Sequence, residues 1–132
     1  MTLNQMVGYC FDKPGAYSDI MSGGQPVSIM VKKTAFAQFY TNPDDPKVTL
    51  KSNPAYMTLL RQRYPKIVQK PYGCPEEEKR SWYTLLIDGS VDDDQIKKIM
   101  DHAYDTAVQS LGKKAQRELA ALEDQTKIPY LN

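Results

Sequence analysis

The sequence predicts an α+β fold, a two-layer sandwich whose antiparallel sheet of about five strands carries helices packed on one face, in the order α-β-β-β-α-β-β-α-α. Three observations lead there. An apolar strand, a tight turn and a capped amphipathic helix follow one another from Trp82 to Leu111. Period-two alternation marks several segments between Val27 and Lys51. Strands and helices do not alternate throughout, as a parallel βαβ sheet would require.

The first element is a short helix, because Leu3, Met6, Val7, Cys10 and Phe11 recur at helical spacing and Pro14-Gly15 stops it. After a loop holding Ser22-Gly23-Gly24, Val27 to Lys32 alternates Val27, Ile29 and Val31 against Ser28, Met30 and Lys32. A second strand is expected at about Ala35 to Thr41. The turn formers Asn42-Pro43-Asp44-Asp45-Pro46 lead into a third at Lys47 to Lys51, completing an antiparallel meander.

Ser52-Asn53-Pro54 supplies a capping side chain before a proline at the first helical position, so the next helix runs to Tyr64, with Met57, Leu60 and Tyr64 on one face. Pro65 ends it. Ile67 to Lys70 reads as a short edge strand, since Pro65 and Pro71 suit only an edge. Ser81 to Asp88 is aromatic, β-branched and apolar on both faces, the pattern of the best-protected strand. Asp88-Gly89 closes it.

Asp92 with Gln95 forms a capping box, and Asp93 and Asp94 complement the helix dipole. Ile96, Ile99, Met100, Ala103, Ala107, Val108 and Leu111 then form a continuous stripe that ends at Gly112. A helix of about 19 residues would be about 28 Å long. Ala115, Leu119 and Leu122 mark a last, weaker helix, so a single domain spans 1–125 and 126–132 is a tail.

Composition narrows the function classes. With 41% apolar and 25% charged residues in 132, the chain suits one soluble core. No run reaches the roughly 18 apolar residues of a spanning helix, and Met1 to Phe11 lacks a basic start followed by an apolar stretch, so a cytoplasmic protein without membrane contact is expected. Cys10 and Cys74 lie in no metal or disulfide spacing. Cys10 falls on the apolar face of the first helix, and Cys74 sits in a loop beside Glu76, Glu77 and Glu78, where the charge opposes thiolate formation.

His102, the only histidine, has Asp101 and Asp105 as helical neighbours but lies off the apolar stripe, so an exposed solubilising residue is expected and no metal. One histidine and no glycine-rich phosphate loop leave little for nucleophilic or acid-base catalysis, so neither an enzyme nor a cofactor is expected.

Charge is uneven along the chain. Residues 32–80 hold ten Lys or Arg against five Asp or Glu, whereas 81–132 hold six against nine. Lys32, Lys33, Lys51, Arg61, Arg63, Lys66, Lys70, Lys79 and Arg80 are the candidate nucleic-acid contacts, with Tyr72 or Tyr83 placed to stack. The plainer reading is a solvated face of scattered charge, and a net charge of +1 argues against strong nonspecific binding.

Tyr9-Cys10 with Lys13-Pro14-Gly15-Ala16, Phe36-Ala37 after Lys33, Val48-Thr49-Leu50-Lys51 with Pro54, Leu60-Arg61, Lys79-Arg80 before Trp82, Leu86-Ile87-Asp88-Gly89-Ser90, and Ala103-Tyr104 resemble the MmcQ/YjbR family, from about residue 3 to 119. The resemblance implies helix, three strands, helix, two strands and helix in two layers, a shape related to frataxin and to secretion chaperones. It also implies a DNA-binding accessory or regulatory protein, by shape similarity to a double-wing DNA-binding domain. The alternative is a protein-interaction module of chaperone-like architecture that binds no nucleic acid. Two departures stand out: Gly73 to Glu78 is an apparent acidic insertion between Tyr72 and Lys79, and His102 replaces a common Ser.

Overall fold

A computed structural model describes residues 1–20, 26–71 and 80–126. Its elements are α1 (Leu3–Phe11), β1 (Ala16–Ile20), β2 (Val27–Val31), β3 (Thr34–Tyr40), β4 (Lys47–Lys51), α2 (Pro54–Arg63), β5 (Val68–Gln69), β6 (Trp82–Leu86), α3 (Asp93–Gln109) and α4 (Lys113–Thr126). The sheet is antiparallel with six strands in the order β1-β2-β3-β4-β6-β5. The sixth strand is β1, in a segment expected to be loop. The last helix continues to Thr126, and residues 127–132, like Tyr72, Cys74, the acidic loop 73–78 and Lys79, lie outside the described residues.

The helix starts follow the chemistry of their caps. Thr2 and Gln5 form a reciprocal box at α1 with bonds of 3.2 and 2.8 Å. Asn53 accepts from the Tyr56 N–H at 2.8 Å and Asp92 from the Gln95 N–H at 2.8 Å, each quenching one of the unpaired amides of a first turn. α3 is 17 residues long, two short of expectation, because the Ser110 N–H closes on the Thr106 and Ala107 carbonyls and ends the helix.

Strand alternation decides the two faces. Ile29, Ala37, Phe39, Val48, Leu50, Tyr83 and Leu85 are buried toward the helices, where α3 lies across β2, β3 and β4. A bulge opposite Ile29 and Met30 lets Phe36 join that side, and its ring meets Tyr104 of α3 edge-on at 5.5 Å. From α3, Ile96, Ile99, Met100, Ala103 and Ala107 are buried, as expected, while Val108 and, past the helix end, Leu111 are only partly so. On the opposite face Thr49 and Thr84, paired across β4 and β6, share a hydrogen bond of 2.8 Å.

A polar cluster fastens α1 to α3. Asp101 accepts from the Tyr9 hydroxyl at 2.7 Å and pairs with Lys13, whose ammonium also lies 4.9 Å from the Tyr9 ring centroid. The Tyr104 hydroxyl donates to the Pro14 carbonyl at 2.7 Å, fixing the turn at which Gly15, with φ +73°, reverses the chain into β1.

Because Ile99 is fully buried, Ile99→Ala is expected to cost about 2–5 kcal/mol in urea unfolding. Leu59→Ala, at a position 64% exposed on α2, should stay within about 0.5 kcal/mol of wild type. Equal losses at both sites would show that α3 does not organise the core.

Candidate functional site

The connection from β4 to α2 and the start of β6 meet in one place. The Ser52 N–H donates to the Ser81 carbonyl at 2.9 Å, extending the β4–β6 ladder beyond its paired strands. That bond brings Lys51 and Arg80 to the same end of the sheet. The Lys51 ammonium stands 5.2 Å from the Trp82 ring centroid, its cross-strand partner. Arg80 lines a recess of about 280 Å³ with Pro54, Met57, Thr58 and Arg61, and helical spacing sets those α2 residues along one flank. Among the described residues, Lys51, Arg61 and Arg80 have no carboxylate within ion-pair distance.

The remaining basic candidates are placed elsewhere. Lys32 and Lys33 form the β2–β3 turn, with φ of 47° and 66°, and Lys32 is paired with Glu118 of α4. Arg63 and Lys66 line a separate recess with Tyr64, Pro65, Ile67, Asp88 and Ser90, and the Arg63 guanidinium lies 5.5 Å from the Tyr64 ring. There Asp88 is held below the usual carboxylate range by the Ser90 hydroxyl and amide, at 2.6 and 2.9 Å. Lys70 is exposed past β5. The nine-residue cationic set therefore does not form one face: Arg61 and Arg80 share a recess, Lys51 lies at the same sheet end on the face of Thr49 and Trp82, and the five other described members are placed elsewhere. Tyr83, considered for stacking, is fully buried, and burial raises its phenol well above the ordinary value.

Behind the Lys51–Arg61–Arg80 group sits a residue whose environment differs from expectation. His102 is half-buried, and its ring stacks on Tyr56 of α2 at 3.7 Å with planes 14° apart. Its Nε2 lies 3.1 Å from the Ser52 hydroxyl and 3.3 Å from that of Thr106. Both hydroxyls donate elsewhere, Ser52 to the Asn53 carbonyl at 3.1 Å and Thr106 to the His102 carbonyl at 2.7 Å. With the hydroxyl protons so placed the ring donates from Nε2, a tautomer assigned from the hydrogen-bond network. The sequence stripe missed this role because it counts apolar positions only; His102 and Thr106, four apart, run along its flank.

Chemically, the two arginines of the recess can hold an anion. Ser52, beside His102, is 2% exposed and donates to the Asn53 carbonyl. Cys10 is buried against the Met100 sulfur at 3.3 Å, and burial pushes its thiol up to about 12. Among the described residues no group of three or more His, Cys, Asp or Glu is placed to hold a metal, and no helix is long and apolar enough to cross a membrane.

The comparisons with known proteins agree with one another. The family model YjbR matches residues 11–106. The uncharacterised protein YjbR of Escherichia coli K12 is 30% identical over 122 residues, covering 92% of this chain and all of the relative, and the sequence from strain O157:H7 matches equally. Among solved structures, a Deinococcus radiodurans protein of the DUF419 domain superposes with a TM-score of 0.80 at 20% identity, covering 90% of this chain and 88% of its own. A Pseudomonas syringae protein reaches 0.62 at 18% identity, covering 81% of this chain and 99% of its own. These two likenesses speak to the fold alone.

The His102 environment carries a pH signature. Burial lowers its pKa below the ordinary value, and the Asp105 carboxylate opposes that shift less strongly. A depressed folded pKa means the unfolded chain takes up the proton first, so the contribution is fully present above the unfolded value near 6.5 and is lost as pH falls below it. Thermal melts at about pH 7.5 and about pH 5.5 should show a larger drop for the wild type than for His102→Gln. An equal drop in both proteins would exclude His102 as the titrating group.

Proposed function

The chain belongs to the YjbR family, and from its basic recess we propose a non-catalytic DNA-binding accessory role, with Lys51, Arg61 and Arg80 contacting the phosphate backbone. The observation that carries this reading is the pair Arg61 and Arg80, which share one recess without acidic partners among the described residues, with Lys51 at the same end of the sheet. Two arginines flanking one recess offer forked donors that match phosphate oxygens. Lys51, held over Trp82, adds a positioned point charge at the neighbouring sheet end.

Trp82 is 9% exposed, so its ring supports Lys51 and offers little area for base stacking. Contacts of this kind fix register on a phosphate chain without reading bases, which suits an accessory protein better than a sequence-specific regulator. The net charge of +1 limits long-range attraction, so the affinity expected is modest. A chaperone-like protein module, the alternative, would bind through apolar burial and respond weakly to salt.

Three neutralised phosphates give a slope of log K against log salt of about −2.7 on duplex DNA. Fluorescence anisotropy with labelled duplex should therefore show roughly 40-fold weaker binding when salt rises about fourfold. Arg61→Glu and Arg80→Glu should each abolish most of that binding, whereas Lys32→Glu, at a lysine outside the recess and already paired with Glu118, should change it little. Absence of binding at low salt, or equal losses from all three variants, would overturn the proposed interface.

A further inference from the structure

The two edges of the sheet are unequal. β5 is two residues long and packs against α2, whereas β1 is five residues long and hydrogen-bonds on one side to β2. Tyr17, Ser18 and Asp19 of β1 are all exposed. An edge strand presents unpaired N–H and C=O groups, and proteins that keep such an edge free protect it with proline, lysine, a bulge or a covering element. Between Ala16 and Ile20 there is no proline and no lysine.

Exposed apolar side chains gather on the same side of the molecule. Of the four large ones exposed among the described residues, Tyr17 is on β1, Phe11 ends the helix that packs on β1, and Leu122 shares a recess with Tyr17 and Gly15.

We propose that β1 is a self-association edge, pairing antiparallel with β1 of a second copy across a two-fold axis at Ser18. The pairing is self-complementary in charge. Alternation sends Tyr17 and Asp19 to the sheet face away from α3, and the two-fold register sets Asp19 of one copy opposite Tyr17 of the other. The Tyr17 hydroxyl accepts the Lys33 backbone N–H at 3.1 Å, so the long Lys33 side chain starts one tyrosine length from the position that the other copy's Asp19 takes. Neither Lys33 nor Asp19 has an ion-pair partner of its own among the described residues. The result is a closed, isologous dimer with one continuous twelve-stranded sheet, which a symmetric edge allows and a head-to-tail contact does not. Five residue pairs form a small interface, so the dimer is weak and concentration-dependent.

Sedimentation velocity of the full chain from about 5 to 500 µM should show a monomer–dimer equilibrium, since small interfaces give affinities in the micromolar range. Ser18→Lys sets two ammonium groups opposite each other at the axis and should weaken dimerisation by about tenfold or more, with an unchanged circular dichroism spectrum because Ser18 is exposed. In a Cys74→Ser background, Ser18→Cys should form a disulfide-linked dimer under mild oxidation, because antiparallel partners have Cα atoms about 4.5–5.5 Å apart. Lys98→Cys, on the exposed side of α3, should not cross-link at a comparable rate. A monomer at every concentration would overturn the proposal. So would a dimer that tolerates Ser18→Lys and does not cross-link through Ser18→Cys, since it would use another face.

Discussion

The placement of α1 and α2 depends on how α3 lies on the sheet. Its buried stripe is part large and part small: Ile99 and Met100 fill volume, while Ala103 and Ala107 let the helix backbone approach the strands closely. Each fully buried large side chain contributes about 1.5–3 kcal/mol relative to exposure. That burial holds α3 in place, and its polar flanks then position the neighbouring helices. Asp101 engages Tyr9 and Lys13 of the α1 segment, and the next residue, His102, engages Tyr56 and Ser52 at the start of α2. Two consecutive residues thus hold helices on opposite flanks of one spine.

The basic recess inherits its geometry from this spine. Arg61 reaches Arg80 only if α2 keeps its angle, and two contacts set that angle: the backbone bond from Ser52 to Ser81 and the Tyr56 stack on His102. The Tyr56 phenol is itself raised by burial, with further upward contributions from Asp101 and Tyr64, so both rings stay uncharged at neutral pH. Two neutral rings in face contact retain their packing without the desolvation cost that a charged ring would carry.

Most of the architecture was legible in the sequence because helices and half-buried strands leave periodic traces. α3 and β6 are the clearest cases, with a stripe and an apolar run that match their burial. β1 left no such trace. Ala16-Tyr17-Ser18-Asp19 is exposed over three of its four residues, so no apolar alternation distinguishes it from a loop, and only pairing with β2 makes it a strand. The sequence does not mark Lys32 and Lys33 as a turn, because a turn with two left-handed residues is usually marked by Asn or Gly. The dispersal of the cationic set has a similar cause. Nearness in the chain from 32 to 80 says nothing of sheet order, and β6, entering between β4 and β5, brings Arg80 beside α2 while the Lys32–Lys33 turn is fixed to α4.

Sheet order also sets a length scale for any paired use of the recess. In the proposed dimer, β6 of one copy is separated from β6 of the other by nine strand steps, because β1 lies at the axis and β6 is fifth in the order. At about 4.8 Å per step the two β6 strands are about 43 Å apart. Adjacent strands are also rotated by about 20–25°, so nine steps turn the sheet by about 180–225° and the two recesses of the proposed dimer open to opposite sides. A straight duplex lying along one recess would not lie along the other, so the proposed contacts would be made by each copy separately.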